Sequence, residues 1–93
     1  MITNIDIPMM QHIRLRKESD EYYIIVVYDF RTWYLLSHCF VEIVEMCNGE
    51  NSVEKIIGAY FGLYPEIENE KLKSDVLAVI SKSYELGILK NKR

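Results

Sequence analysis

From His12 to Arg16 the chain alternates: Ile13 and Leu15 fall on one side of an extended backbone, His12, Arg14 and Arg16 on the other. That period of two predicts a half-buried strand. The polar run Lys17-Glu18-Ser19-Asp20-Glu21 then reads as a hairpin loop. Tyr22 through Tyr28 is β-branched and aromatic throughout, which suits a central strand with apolar side chains on both faces. Asp29-Phe30-Arg31 turns the chain into a further strand, Thr32-Trp33-Tyr34-Leu35-Leu36. The pattern therefore predicts a three-stranded antiparallel meander with the second strand in the middle.

Helical spacing takes over next. Ser37 is placed to cap a helix in which Phe40, Ile43, Val44 and Cys47 recur on one face, with Glu42 and Glu45 on the other. Asn48-Gly49 supplies a left-handed stop. Asn51 followed by Glu54 resembles a capping box for a second helix carrying Val53, Ile56, Ile57, Tyr60 and Phe61, which Gly62 and Pro65 end. An acidic stretch, Glu66 to Glu70, leads into a third helix running to Leu86, with Gly87 as its stop. Ile88-Leu89-Lys90 reads as a short apolar tail that packs back, and Asn91-Lys92-Arg93 as a frayed end. Residues 1–10 read as an N-terminal arm. The fold class is α+β in one domain, residues 1–93: three antiparallel strands followed by three helices.

The third strand has no neighbour on one side, because no later segment reads as a strand able to cover it. Open edges recruit other chains through their free N–H and C=O groups and are normally charged, shortened or covered. An apolar, aromatic edge points to the capture of an extended peptide as an added strand. The third helix carries a second clue. Leu72, Val76, Val79, Ser83 and Leu86 form one stripe, the expected core face. Lys73, Leu77, Ile80 and Tyr84 form another, roughly 100° around the helix. If that helix lies beside the open strand, the second stripe walls a peptide groove. The rival reading packs this stripe against Ile5 to Met10 or a second copy of the protein. Trp33 and Tyr34 must face opposite sides of the sheet, and the sequence leaves open which side takes Trp33.

Composition narrows the partners. The chain has 93 residues, a 49% hydrophobic fraction and a net charge of −3, so it fills one globular domain and has no basic surplus for a phosphate backbone. Nucleic acid is disfavoured; a winged-helix nucleic-acid-binding regulator would need a basic recognition helix. The third helix instead mixes Lys71, Lys73 and Lys82 with Glu70, Asp75 and Glu85. Cys39 and Cys47 lie on one predicted helix about 12 Å apart, beyond the ~7 Å a disulfide tolerates. Reduced thiols and an N-terminus without a signal-peptide pattern fit a cytoplasmic protein. The longest apolar run, Tyr22 to Tyr28, is far below the roughly 20 residues of a membrane span.

Candidate chemistry is sparse. His12 and His38 have no second ligand at metal spacing, and His38 and Cys39 are helix neighbours pointing about 100° apart. Ser37 is better explained as a cap than as a nucleophile. No metal, cofactor or catalytic residue is expected.

The ordered set Tyr34-Leu35-Leu36, Cys47-Asn48-Gly49, Ser52-Val53-Glu54-Lys55-Ile56-Ile57, Asp75-Val76 and Glu85-Leu86-Gly87-Ile88-Leu89 resembles the PqqD-like family. These are the precursor-peptide recognition elements of ribosomally synthesised and post-translationally modified peptide (RiPP) pathways. The match spans about Tyr22 to Leu89, with Asn48 where Asp is usual. The resemblance implies a winged-helix-like domain with its strands first, itself not catalytic, in a stand-alone form. It implies that a precursor leader adds to the third strand and lies against the third helix. On this chain that gives Arg31, Thr32, Trp33, Tyr34 and Leu35 on the strand, and Lys73, Val76, Leu77, Ile80 and Tyr84 on the helix. The implied partners are the leader and a modifying enzyme. A leader peptidase with a macrolactam synthetase, as in lasso peptides, comes first, and a radical S-adenosylmethionine (SAM) enzyme, as in pyrroloquinoline quinone or thioether-peptide pathways, second. A monomer or weak dimer, off the membrane, is expected.

Overall fold

A computed structural model describes residues 2–92. It has five strands and three helices in the order β1 (Pro8–Met10), β2 (Ile13–Lys17), β3 (Tyr22–Val27), β4 (Thr32–Ser37), α1 (His38–Glu45), α2 (Val53–Leu63), α3 (Asn69–Glu85) and β5 (Leu89–Asn91). The predicted meander is the sheet β2-β3-β4, antiparallel with β3 in the middle. The third predicted strand is thus β4. Ile25 and Val27 of β3 point down and are buried, while Ile24 and Val26 on the opposite face are half-buried. The helices cover only the first of these faces.

Two elements were not read from the pattern. β1 and β5, from opposite ends of the chain, pair antiparallel as a separate two-stranded ribbon, with Met9 opposite Lys90. The end expected to fray is therefore held at Asn91 and Lys92; Arg93 lies outside the described residues. The Lys92 N–H donates to Ile7 O at 2.8 Å, and its ammonium donates to Gly49 O at 3.0 Å. Residues 2–10, within the N-terminal arm, are tied to the rest of the fold. The N–H groups of Val53 and Glu54, orphan donors in the first turn of α2, donate to Asp6 O and Asn4 O.

The caps follow the turn chemistry. Ser37 Oγ accepts from Phe40 N at 3.3 Å and starts α1. For α2 the cap is Ser52, accepting from Lys55 N at 3.2 Å, rather than the neighbouring Asn51. The Asn51 amide is engaged elsewhere, donating to Met46 O at 3.1 Å. Gly49 and Gly87 take the left-handed conformation expected of them, at φ +82° and +79°. The core runs through Ile25, Val41, Val44, Val53, Ile56, Val76, Ile80 and Ile88, none more than 1% exposed. Cys47 is buried in it as a free thiol, and desolvation pushes that thiol up to about 12.

Gly87 also fixes where α3 ends. A Cβ there would lie 2.0 Å from the Phe30 ring, so the turn before β4 rests directly on the turn after α3. Gly87→Ala should therefore lower the unfolding free energy by about 2–3 kcal/mol in urea melts, combining the positive-φ penalty with the clash. Adding Phe30→Ala should recover part of that loss, giving a positive coupling in a double-mutant cycle. Strict additivity would place the two residues out of contact.

Candidate peptide-binding edge and groove

The hydrogen-bond register of β4 follows from one contact. His38 N donates to Glu21 O at 2.7 Å, continuing the ladder in which Tyr22 faces Ser37 and Tyr23 faces Leu36. Antiparallel pairs alternate between hydrogen-bonded and non-bonded. Thr32, Tyr34 and Leu36 therefore spend their N–H and C=O groups on β3, whereas Trp33 and Leu35 aim theirs outward. Among the described residues no backbone group takes up those of Trp33 or Leu35.

The sheet has a second open edge, β2, and the contrast is informative. On the face of the sheet away from the helices β2 carries Arg14 and Arg16, and the strand ends at Lys17, charges that guard it against strand addition. On β4 the same face carries Trp33 and Leu35, both exposed. The structure thus places Trp33 on the face away from the helices. Thr32, Tyr34 and Leu36 are half-buried on the helix side. Arg31, expected on the strand, is the left-handed residue of the preceding turn at φ +50° and lies outside β4.

The C-terminal end of α3 lies near the start of β4 and its middle near the strand's end. Gly87, just past its end, touches Phe30 ahead of the strand, and its middle shares a depression with Ser37 at the strand's far end. That depression, about 430 Å³, is lined by Cys39, Phe40 and Ile43 of α1, by Tyr60, Tyr64 and Ile67, and by Lys71, Leu72, Asp75, Ala78 and Val79 of α3. Helical spacing puts Asp75, Val79, Lys82 and Leu86 on this same flank. The rim is charged: Lys71 pairs with Asp75 and Lys82 with Glu85, each at 3.6 Å.

This is not the helix stripe the sequence pointed to. Val76 and Ile80 are 0% exposed, members of the core rather than of a groove wall. Lys73 lines a different depression with Asn4, Glu54, Ile57 and Phe61, on the side of α2 and the N-terminal segment. Leu77 is half-buried one turn along the same flank. The Tyr84 hydroxyl is buried, and burial, with the charges of Asp6 and Cys47 adding, pushes it up to about 12. The rival reading, in which the second stripe packs under the N-terminal segment, describes these contacts. The groove residues that periodicity missed, Ala78 and Val79, carry a weak signal, because that flank mixes charges with small and apolar side chains.

The polar groups near the groove are committed to each other. Tyr64 OH donates to Glu42 Oε1 at 2.7 Å, and this bond holds the phenol protonated well above its ordinary range. His38 Nε2 lies 3.8 Å from Glu42 Oε2. The partner of His38 is therefore Glu42, with Cys39 turned into the groove. Among the described residues no group of three His, Cys, Asp or Glu side chains is placed to hold a metal, and no helix is long and apolar enough to cross a membrane.

An open β4 edge beside an apolar groove, on a meander followed by three helices, defines the class of domain. Comparison with solved structures finds the same fold in the PqqD truncation of Methylobacterium extorquens PqqCD, solved by solution NMR. That protein is described as a functional, stand-alone RiPP recognition element. The two superpose with a TM-score of 0.76 at 17% identity, over 98% of this chain and 96% of that one. The chain has the PqqD-like fold. No family model matches the sequence, and no curated protein does.

The Tyr84 hydroxyl is buried and meets no hydrogen-bond partner among the described residues. Tyr84→Phe removes an unsatisfied polar group, so stability should hold or rise by about 1 kcal/mol in thermal or urea unfolding. A loss of more than about 1 kcal/mol would reveal a hydrogen bond at that hydroxyl.

Proposed function

We propose that this chain is a non-catalytic recognition element that captures the leader of a ribosomally made precursor peptide and presents it to a modifying enzyme. The leader adds as a strand to β4, bonding to the outward backbone groups of Trp33 and Leu35. Its inward side chains reach the depression walled by Phe40, Ala78 and Val79. Main-chain bonds supply affinity without sequence preference, and the groove supplies selection. The observation that carries this reading is the contrast of the two sheet edges: β2 is guarded by Arg14 and Arg16, β4 by no charge.

The strand half of the site stays as first read, without Arg31. On the helix, Ala78, Val79, Lys82 and Leu86 replace Lys73, Val76, Leu77, Ile80 and Tyr84. The leader peptidase and macrolactam synthetase of a lasso-peptide pathway are the first partners to test, a radical SAM enzyme the next. A nucleic-acid role is not favoured: on α3, Lys71 and Lys82 are paired with Asp75 and Glu85, and the chain carries a net charge of −3.

The test is a fluorescence-anisotropy titration with the labelled leader of a short precursor encoded beside this gene. Ala78→Glu keeps a helix-forming residue at an exposed position and should weaken binding at least tenfold, about 1.4 kcal/mol. Ala59→Glu, exposed on α2 away from the groove, should bind like the parent protein. Equal affinity of the Ala78→Glu and parent proteins would refute the groove.

A further inference from the structure

On the face of the sheet away from the helices, β4 presents Trp33 at 62% exposure and Leu35 at 55%, two residues apart along the strand. A sheet face turned to solvent ordinarily carries polar residues, as β2 does there with Arg14 and Arg16. Both exposed apolar residues belong to the edge strand left open, and both aim their backbone groups at that edge. Trp33 stands opposite Val26, and with Arg14, Arg16 and Tyr28 it lines a shallow hollow that takes in Ile24 and Val26. Leu35 stands beside it, opposite Ile24.

A strand added to β4 cannot put all its side chains into the groove. Half of them emerge on the other face, because side chains alternate. In an antiparallel addition the residues directly opposite Trp33 and Leu35 would have Cβ atoms about 4.5–5.5 Å away, close enough to pack. Arg14 and Arg16 stand on β2, about 10 Å from β4 on the far side from any added strand. They line the hollow on the β2 side of Trp33, whereas on the side where a strand would add, this face presents Trp33 and Leu35, both apolar.

We infer that the captured peptide is read on both faces: its outward side chains pack on Trp33 and Leu35 while its inward ones enter the groove. This inference rests on the strand-capture reading and deepens it. The recognised segment is then a run of consecutive apolar residues, with aliphatic or aromatic side chains at two outward positions spaced by one. A ligand read from the groove alone would be apolar only at alternate positions.

The experiment selects random dodecapeptides displayed on phage against the immobilised parent protein and against its Trp33→Ser/Leu35→Ser variant. Circular dichroism checks folding, and Leu35→Thr, which keeps strand propensity, is the second variant should the double one unfold. The parent should enrich peptides apolar on both alternations. The variant should keep the groove-facing preference and lose the outward one. A synthetic parent-selected peptide should bind the double variant at least tenfold more weakly, and Leu35→Thr severalfold more weakly. The same consensus and the same affinities from parent and variant would overturn the inference and leave strand capture standing. No enrichment by either protein would overturn strand capture itself. A parent dimer in sedimentation that the double variant abolishes would also overturn the inference, assigning the two side chains to a second copy of this chain.

Discussion

A β-strand has two rows of backbone hydrogen-bonding groups, and β4 has a partner for one of them. Thr32, Tyr34 and Leu36 satisfy theirs on β3, while Trp33 and Leu35 face outward. The rest of the structure is arranged around that asymmetry. β2, the opposite edge, carries cationic side chains, and the strand that follows the last helix pairs with β1 instead of closing the sheet. β4 stays open beside an apolar depression, where burial of apolar surface can add to main-chain bonding.

Keeping an edge open requires that the strand not yield when a partner pulls on it. β4 is fixed at both ends: Phe30 lies on Gly87 before it, and Ser37 caps α1 immediately after it. α3 is anchored from the other side, since Val76 and Ile80 are in the core and the Tyr84 hydroxyl is buried. The N-terminal segment completes this anchoring by capping α2 through Asp6 and Asn4 and by pairing with the C-terminal strand. Ala78 and Val79 lie on the flank of α3 that faces α1, in the depression that reaches Ser37 at the end of β4.

The meander and the helices were legible because each rests on a local signal. Tyr22 to Val27 is an unbroken β-branched and aromatic run, Ser37 sits where a cap belongs, and Gly49 and Gly87 stand where the backbone turns left-handed. The β1–β5 ribbon was not legible. Each strand is three residues long, too short for periodicity, and the pairing joins Pro8 to Asn91 across nearly the whole chain. The burial of Val76 and Ile80, expected on a groove wall, was not legible for a related reason. The sequence shows two apolar stripes on α3 but not which neighbour lies against each. Packing decides that: α2 and the N-terminal segment take the side of Lys73 and Tyr84, α1 the side of Val79. Asn51 and Ser52 are adjacent cap candidates, and the choice of Ser52 became visible only once the Asn51 amide was found on Met46.

Amide hydrogen exchange along β4, read residue by residue by NMR with and without a bound leader peptide, tests strand capture most directly. In the free protein the amides of Thr32, Tyr34 and Leu36 should be protected and those of Trp33 and Leu35 should exchange rapidly. Saturation with peptide should protect Trp33 and Leu35 and leave the other three almost unchanged. Saturable binding with no gain in protection at Trp33 and Leu35 would contradict the account and move the ligand away from the strand edge.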